Sequence, residues 1–351
     1  MVIFETKARL ADLAVLSKHL AVMLKSGMSV TEAMHVVSSA SRGGFRRVLM
    51  SVGTAVESGR TLEQAMHAHP KSFSPHIVSA VRAGESSGTL VENLENLAVS
   101  LEKEREMKAK VLGAMLYPLI VLVAAVVLGL VITFFVLPKI TPIFRGLRVE
   151  LPASTRALLW MTDIIDAHGT ILFAGLFIGL ITFSILVTRS FMRPITGGLA
   201  LMIPVIRRVV VSSHIARFSR TSAMLLKSGL TVDEALQIAE TNATNVYYRR
   251  AIRRTRDRAR GGEPLSQALA SYPKLFPPLV TNMIHVGESA GAYENTLTYL
   301  AEFYEADVDT ATKSLASMVE PLLLLVMGGV VVFLALSIIS PIYEITGNLK
   351  R

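Results

Sequence analysis

The sequence contains no cysteine, so disulfide bridges and thiolate-bound metals are excluded. It also lacks a G-x-x-x-x-G-K-[ST] phosphate loop and an H-E-x-x-H metal motif, which argues against a nucleotide motor and a metal hydrolase. The N-terminal segment has no apolar core followed by a cleavage site, and its spacing predicts an amphipathic helix instead of a signal peptide. No segment shows the sustained two-residue alternation of a half-buried strand. We therefore expect an all-α chain without a cofactor or a bound metal.

Apolar residues are abundant, although they are unevenly distributed. The 351 residues are 51% hydrophobic, and the mean hydropathy is +0.49. That average is too apolar for an ordinary soluble protein and too polar for a chain made only of membrane helices. The net charge of +9 suits a protein that faces an anionic leaflet, and it would equally suit a nucleic-acid binder. Charge alone therefore does not identify a partner.

Three apolar runs are long enough to cross a bilayer, which needs about 20 apolar residues. They are residues 115–137, 170–187 and 319–339, and only the third carries a charge, Glu320 near its start. A fourth apolar patch, 197–206, is too short to span and is interpreted as an interfacial or core segment.

Most lysines and arginines lie in two long polar regions, which we place in the cytoplasm, although Lys350 and Arg351 follow the last span. The predicted division is a first cytoplasmic helical domain (1–113), a transmembrane helix (114–137), a periplasmic loop (138–169), a second transmembrane helix (170–188), a second cytoplasmic helical domain (189–317), a third transmembrane helix (318–340) and a short periplasmic tail (341–351).

The chain contains an internal repeat with a period of about 203 residues. The matching segments are LAVMLKSGMSVTEAM (20–34) with SAMLLKSGLTVDEAL (222–236), and VRAGESSGTLVENLENLA (81–98) with IHVGESAGAYENTLTYLA (284–301). The match continues into the apolar runs, where Tyr117 and Pro118 correspond to Glu320 and Pro321. Each unit is therefore a helical domain followed by a span, and the second span returns the chain to its starting side.

Each polar unit is predicted to contain about six short helices. The patterns S-x-x-E at 29–32 and T-x-x-E at 231–234 are capping boxes, in which a hydroxyl and a carboxylate satisfy free N–H groups at a helix start. Gly27 and its repeat partner Gly229 are predicted to follow the preceding helix in the left-handed conformation. A buried stripe is predicted along the last helix of each unit at Leu90, Leu94, Leu97 and Leu101, and at Tyr293, Leu297, Leu300 and Tyr304.

Two turns share the pattern G-E-S-x-G, at 84–88 and 287–291. The pattern fits the nucleophile elbow of serine hydrolases, with Ser86 and Ser289 as nucleophiles, but that elbow needs a preceding strand and none is predicted. We prefer a turn between two helices, whose candidate residues are Gly84, Glu85, Gly88, Gly287, Glu288 and Gly291.

Within these turns, Gly84 and Gly287 are expected to end one helix, so that small residues let the next helix begin nearby. Two interpretations remain for Glu85 and Glu288. They are either plain surface charges of a turn, or they pair with a basic group across the bundle or a subunit contact.

The densest charge cluster is YYRRAIRRTRDRARGG at 247–262. On a helix its arginines cover two neighbouring faces, which are interpreted either as a solvated surface or as a docking site for an acidic partner or anionic lipid headgroups. Nucleic acid is not expected, because only Tyr247 and Tyr248 could offer a stacking platform. The candidate docking residues are Arg249, Arg250, Arg253, Arg254, Arg256, Arg258 and Arg260.

Two features lie where a polar unit meets a span. Residues 102–110 carry the i,i+4 pairs Glu104–Lys108 and Glu106–Lys110, which predicts one helix running from the cytoplasm into the membrane. Glu320 lies about one turn inside the third span, either at headgroup level or as a functional intramembrane acid.

The duplicated L-x-K-S-G-[ML]-[ST]-V-x-E-A segments, the duplicated G-E-S-x-G turns, E-L-P-x-x-T at 150–155 and the Glu320–Pro321 pair resemble one family. It is the F-type inner-membrane platform family of type II secretion and type IV pilus assembly systems. The resemblance covers nearly the whole chain. Many members carry an additional segment before the first helical unit, whereas here that unit begins almost at Met1, so contacts of such a segment are not carried over.

The resemblance implies a platform of the bacterial inner membrane, around which pilin or pseudopilin subunits join a filament. It also implies contacts with a hexameric cytoplasmic ATPase, with other inner-membrane assembly proteins, with the lipid bilayer and with further copies of the chain. No enzymatic activity is implied.

Two other function classes fit the sequence less well. A small transporter or permease subunit would explain the repeat, but three spans with almost no buried polar residues form a poor pathway. A membrane enzyme lacks a metal, nucleotide or triad constellation in the sequence.

Overall fold

The structure is a computed structural model that describes residues 7–131 and 192–348, together with isolated positions between 156 and 182. Every regular element in these residues is an α-helix, which confirms the predicted all-α fold. The first repeat contains α1 (Leu10–Lys25), α2 (Val30–Ala40), α3 (Gly43–Glu57), α4 (Leu62–His67), α5 (Pro75–Ser87) and α6 (Leu90–Val131). A further helix and the second repeat follow as α7 (Arg193–Met202), α8 (Pro204–Lys227), α9 (Val232–Asn242), α10 (Val246–Arg260), α11 (Leu265–Ala270), α12 (Pro278–Ser289) and α13 (Tyr293–Asn348).

Both predicted capping boxes form, and they fix the turn between the first two helices of each repeat. The amide of Glu32 donates to the hydroxyl of Ser29 at 3.2 Å, and the amide of Ser29 donates back to the Glu32 carboxylate at 3.0 Å. Thr231 and Glu234 repeat both bonds, at 3.3 and 2.9 Å. The preceding glycine has a φ of +90° at Gly27, in the left-handed region that a side chain would disfavour.

The helices of the two repeats share their apolar cores. In the second repeat, the predicted stripe is confirmed at Leu297, Leu300 and Tyr304, whereas Tyr293 and the equivalent Leu90 are only partly buried. In the first repeat, Leu94, Leu97 and Leu101 are almost fully buried, as predicted. The core around them also contains residues of the second repeat, namely Met224, Leu225, Ala235 and Ile238. The second core in turn contains Met107 of α6. The described parts of 1–111 and 193–311 therefore form one compact unit, because each core is completed by the other repeat.

The last helix of each repeat continues without interruption into an apolar stretch. By length and composition, α6 and α13 are the two helices of the described chain that could each cross a membrane. Taken together as one bent element, 194–202 and 206–227 would count as a third, although they meet at 115°. The predicted span 170–187 lies outside the described residues, apart from isolated positions. Helix α13 continues to Asn348, which lies beyond the predicted end of the third span at residue 340.

The short apolar patch at 197–206 falls largely in α7, which packs on the second repeat. A side chain at Gly197 would meet the amide of Asn245 at 2.9 Å, and one at Gly198 would meet the hydroxyl of Tyr247 at 2.9 Å. Leu199, Met202 and Ile203 are nevertheless exposed, so the patch is not part of the core, and its interfacial placement stays a prediction.

The predicted continuity of the junction helix is confirmed, since α6 is a single helix from Leu90 to Val131. Glu104 pairs with Lys108 at 2.9 Å as expected. The predicted Glu106–Lys110 pair is wrong, because Lys110 reaches Asp309 of α13 at 3.5 Å and Glu106 turns to Lys103 at 3.2 Å. The i,i+4 spacing considers only residues of the same helix, so it could not predict that Asp309 of α13 would be the partner of Lys110.

Candidate functional site

The G-E-S-x-G turn of the first repeat holds the start of another helix. The carboxylate of Glu85 accepts hydrogen bonds from the backbone amides of Leu62 and Glu63, at 2.7 and 2.8 Å. These amides belong to the first turn of α4, which has no intrahelical partners for them. Glu85 therefore acts as a cap supplied by α5 to a helix more than twenty residues earlier in the chain.

The turn of the second repeat repeats this arrangement and adds to it. Glu288 accepts from the amides of Leu265 and Ser266, at 2.7 and 3.2 Å. Its carboxylate also accepts from the hydroxyls of Ser266 and Tyr293, at 2.6 and 2.8 Å. One carboxylate thus joins the start of α11, the end of α12 and the start of α13.

The protonation state of Glu288 follows from these bonds. Burial alone would raise the pKa of this carboxyl, but the hydrogen bonds from Ser266, Tyr293 and the two amides outweigh burial and hold the pKa below its usual value. Burial and the bond to Glu288 raise the pKa of the Tyr293 hydroxyl, so it stays a donor. An ionised carboxylate with its lone pairs occupied is a poor general base, and the site is suited to hold helices together.

Neither interpretation offered for the two glutamates describes these contacts. Glu85 and Glu288 are not free surface charges, and their partners are backbone amides and hydroxyls instead of a basic group. The sequence carries one usable signal, which lies in the second repeat: Pro264 stands at the N-cap position of α11 and offers no side-chain cap. The residue that supplies the cap could not be identified without the tertiary fold.

The glycines of the turns have roles that differ from the prediction. Gly84 and Gly287 do not end their helices, because α5 continues to Ser87 and α12 to Ser289. A Cβ on Gly84 would lie 2.8 Å from the Cα of Leu90, and one on Gly287 would lie 2.5 Å from the hydroxyl of Thr296. These glycines let the next helix pass closely. The positive φ that ends each helix belongs to Gly88 (+73°) and Gly291 (+64°).

The serines of the pattern are helical and do not form nucleophile elbows. Ser86 donates its hydroxyl to the carbonyl of Arg82 at 2.9 Å, and Ser289 donates to the carbonyl of His285 at 2.8 Å. Both bonds run along the residues' own helices. No strand precedes either serine in the described chain, so the geometry of a hydrolase elbow is missing there.

Most arginines of α10 have partners inside the second repeat. Arg256 pairs with Glu240 at 3.1 Å, Arg260 pairs with Asp233 at 2.6 Å, and Arg258 pairs with Glu263. Arg253 lies 3.7 Å from Glu240, and Arg249 donates to the carbonyl of Ala243 at 2.9 Å. The exposed Arg250 and Arg254 form no ion pair with the described residues. The cluster is thus largely an internal network, and docking by the remaining arginines stays a prediction.

Polar contacts join the two repeats across the shared cores. Arg217 of α8 lies 3.6 Å from Glu104 of α6, and Lys227 donates to the side chain of Asn96 at 3.3 Å. The side chain of the buried His76 of α5 lies close to that of Asn242. We refer to the contact of α5 and α6 with α8 and α9 as the repeat interface.

The charges at the repeat interface are shifted by their surroundings. Burial would raise the pKa of the Glu104 carboxyl, but the neighbouring Arg217 and Lys108 outweigh it and lower the pKa. Burial lowers the pKa of His76, and it lowers the pKa of the nearby His214 to about 4. Both imidazoles are therefore neutral at neutral pH. His214 stacks on Tyr248, with ring centroids 4.4 Å apart.

The remaining predicted residues lie in the apolar parts of the long helices. Pro118 belongs to α6, and Glu320 and Pro321 belong to α13. Their predicted roles stay predictions. Among the described residues, no group of three or more metal-ligating side chains is assembled.

Comparison with known proteins agrees with the repeated architecture. The family model of type II secretion system protein F matches the chain twice, at residues 16–138 and 218–341. The chain is 35% identical over 348 residues to the type IV pilus assembly protein PilC of Thermus thermophilus, covering 97% of the chain and 84% of that protein. It is 31% identical over 345 residues to the type II secretion system protein F of Aeromonas hydrophila, covering 98% and 89%.

Proposed function

Because this chain belongs to the type II secretion system protein F family, we propose that it is the inner-membrane platform of a type II secretion or type IV pilus assembly machine. The platform would couple a hexameric cytoplasmic ATPase to the insertion of pilin or pseudopilin subunits into a filament. Its other partners would be further inner-membrane assembly proteins, the lipid bilayer and additional copies of the chain.

The observation that carries this proposal is the continuity of the two long helices. Each repeat ends in a helix that begins in the compact helical unit and runs on into an apolar stretch, as α6 and α13. A continuous helix transmits displacement and rotation along its axis, since its backbone hydrogen bonds must break for it to bend sharply. Work done on the helical unit would therefore reach the membrane through two stiff connections.

We infer that the chain has no catalytic activity of its own. Glu85 and Glu288 use their carboxylates as helix caps, and the hydroxyls of Ser86 and Ser289 are bonded to helix carbonyls. The residues that a hydrolase would need are thus engaged in holding helices. Loss of filament assembly in chains carrying both Ser86→Ala and Ser289→Ala, with normal protein levels, would contradict this inference.

We propose a topology in which 1–113 and 189–317 lie in the cytoplasm and the spans are 114–137, 170–188 and 318–340, with the C-terminus in the periplasm. Two repeats running in the same direction require an intervening span to bring the chain back. Reporter fusions at positions 146 and 228 should report opposite compartments. Reporters that indicate the same side would overturn this topology.

The coupling proposal is tested by softening one connection without changing its length. Residues 111–114 of α6 (VLGA) are replaced by four glycines in one variant and by four alanines in a matched control. Glycine costs a helix about 1 kcal/mol per residue relative to alanine, so only the first variant loosens the helix. The alanine control is compatible with the structure, because a Cβ on Gly113 would meet nothing within 4 Å.

Filament output of cells should fall to background with the glycine variant and stay substantial with the alanine control. Membrane fractionation should show equal amounts of both variants in the inner membrane. Equal filament output from the two variants would reject transmission through α6.

A further inference from the structure

The repeat interface joins two unlike faces. The second repeat contributes α8 and α9 around Arg217, Met224 and Ile238, which we name the groove face. The first repeat contributes α5 and α6 around His76 and Ser100, which we name the ridge face. If a two-fold axis related the repeats, the equivalent positions on the opposite sides would be buried in the same contact. The repeat partners of these five positions are instead exposed.

The first repeat carries an open copy of the groove face. Met224 is 5% exposed, whereas its repeat partner Val22 is 59% exposed; Ile238 is 8% exposed, whereas its partner Val36 is 47% exposed. Together with Val15, the counterpart of Arg217, these valines form an apolar surface on α1 and α2. The adjoining groove between α1 and α6 has a volume of about 540 Å³. Its lining combines Val15, Val22 and Val99 with the charged side chains of Lys18, Glu95, Glu102 and Arg105.

The second repeat carries an open copy of the ridge face. Ser100 is 8% exposed, whereas its partner Phe303 is 42% exposed. The ring of Phe303 stacks on that of Tyr299, the partner of Asn96, with centroids 6.3 Å apart. Leu279 and Val286 of α12, the partners of His76 and Ala83, are exposed large apolar residues as well. Contiguous exposed apolar residues of this kind mark an interaction surface.

We propose that the ridge face of the second repeat docks onto the groove face of the first repeat of another copy of this chain. The contact would repeat between chains the contact that the two repeats make within one chain. It specifies the self-association included in the proposed function, and it is heterologous, so every copy presents one face of each kind.

The side chains at the equivalent positions fit this occupant. Inside one chain, Arg217 meets Glu104 and lies beside Ser100, so that part of the interface is polar. Between chains, Val15 replaces Arg217 and Phe303 replaces Ser100, so the same position becomes an apolar pair. Lys25 is the counterpart of Lys227, which contacts Asn96, but Lys25 is already paired with Glu95 of its own chain at 2.8 Å. Apolar side chains at both matching positions would not be expected if each face met only water.

The absence of cysteine makes a thiol crosslinking test direct, because engineered cysteines are the only thiols. Full-length chains carrying Val15→Cys are mixed with full-length chains carrying Phe303→Cys in vesicles of phosphatidylethanolamine and phosphatidylglycerol, at a low protein-to-lipid ratio. A short bismaleimide is added, and crosslinked dimers are quantified on a denaturing gel. The internal control is one chain carrying Ser100→Cys and Arg217→Cys, which must crosslink to itself.

The expected result is a dimer in the mixture of Val15→Cys and Phe303→Cys chains and little dimer from either variant alone. Met50→Cys is the matched control, since Met50 is equally exposed but lies on α3. Dimers from Val15→Cys chains alone would indicate a symmetric contact and overturn the proposal. The proposal would also be overturned if the mixture of Val15→Cys and Phe303→Cys chains gave no more dimer than a mixture of Met50→Cys and Phe303→Cys chains, while the internal control reacts.

A second pair of variants tests the contact without crosslinking. Phe303→Lys places a charge in the proposed apolar contact and should weaken self-association in detergent at least about tenfold, measured by analytical ultracentrifugation. Phe303 and Val15, the two positions changed in this experiment, are both exposed within one chain, so both variants should fold. Combining Phe303→Lys chains with Val15→Glu chains should restore mixed dimers. Unchanged association of both single variants would reject the contact.

These measurements use the isolated chain, without an ATPase or filament subunits. Their failure would remove the contact between copies and leave the platform proposal intact. Conversely, a failed filament experiment would not change the crosslinking result.

Discussion

The two repeats stabilise the same short helix with different sets of side chains. In the first repeat, the hydroxyl of Thr61 accepts from the amide of Gln64 at 3.1 Å, and Glu85 covers the two amides before it. In the second repeat, Pro264 stands at the position of Thr61 and offers no side-chain cap. Glu288 there takes two amides and two hydroxyls. The long-range cap is therefore common to both repeats, and its carboxylate accepts more hydrogen bonds where the local cap is missing.

The arginines of α10 show a similar difference between the two repeats. Arg256, Arg258 and Arg260 of α10 occupy the positions of Gly53, Ala55 and Glu57 in α3, and their acidic partners also occur only in the second repeat. Glu240, Asp233 and Glu263 replace Ser38, Thr31 and Arg60 of the first repeat. Arginines and partner acids thus occur together, which explains the cluster as a feature of the fold.

The largest effect is expected when the two caps are removed in turn. Glu288→Ala should destabilise the start of α11 by about 3 kcal/mol, because several hydrogen bonds to a charged group are lost and the amides stay without partners. Glu85→Ala should cost α4 about 2 kcal/mol, since Thr61 remains as a local cap. Hydrogen–deuterium exchange of peptides covering α4 and α11 in detergent measures both effects separately.

Glu302→Ala is the control for these substitutions, because Glu302 is exposed on α13. It should leave exchange in α4 and α11 unchanged. Equal destabilisation by Glu85→Ala and Glu288→Ala would contradict the expectation that Glu288 contributes more to stability than Glu85.

A glycine comparison should give the next effect. Gly84→Ala should destabilise the first repeat by about 2 kcal/mol, because the new Cβ meets the backbone of Leu90, which cannot move alone. Gly287→Ala meets the side chain of Thr296, so Thr296→Ala should recover part of its loss. Gly53→Ala is the control, since its Cβ would lie 3.8 Å from Met34 and alanine favours a helix. Urea unfolding in detergent, followed by circular dichroism, ranks the variants.

The local features were predictable from sequence because they depend on neighbouring residues. The helical periodicity, the buried stripe from Leu94 to Leu101 and both capping boxes follow from spacings within one or two turns. The different roles of Gly84 and Gly88 were missed, because a glycine that permits close packing and a glycine that ends a helix look alike in sequence. The first role depends on where Leu90 lies.

The features missed entirely depend on contacts between distant parts of the chain. The carboxylate of Glu85 meets amides of α4, and Met224 completes the core of the other repeat. An internal repeat predicts two similar bundles, but it does not predict how they pack against each other. That information resides in positions where the repeats differ, such as Met224 and Val22.

Acid should affect the second repeat and the repeat interface before the rest of the helical unit. His76 and His214 have pKa values below their ordinary 6.5, so the unfolded chain binds protons that the folded chain rejects. Stability is therefore complete above pH 6.5 and is lost as the pH falls towards the folded pKa, which is about 4 for His214. One pKa unit corresponds to about 1.4 kcal/mol, so pH 5 should cost about 2 kcal/mol for His214.

Unfolding by urea at pH 7.5 and pH 5 measures this loss, and His214→Gln should reduce it. His19→Gln is the control, because His19 is exposed on α1. The two variants would behave alike if neutral burial of His214 were unimportant.

The smallest effect separates the paired arginines from the unpaired ones. Arg256→Ala should destabilise the second repeat by about 1 kcal/mol, because it removes a mostly buried partner of Glu240. Arg254→Ala should change stability by less than about 0.5 kcal/mol, since that side chain is exposed and has no ion-pair partner among the described residues. A double-mutant cycle of Arg256→Ala with Glu240→Ala, read by urea unfolding, should give a coupling energy near that of the single pair. If Arg254→Ala instead lowered filament output in cells while leaving stability unchanged, the exposed arginines would have to bind a partner, and the internal network would explain only the paired arginines of the cluster.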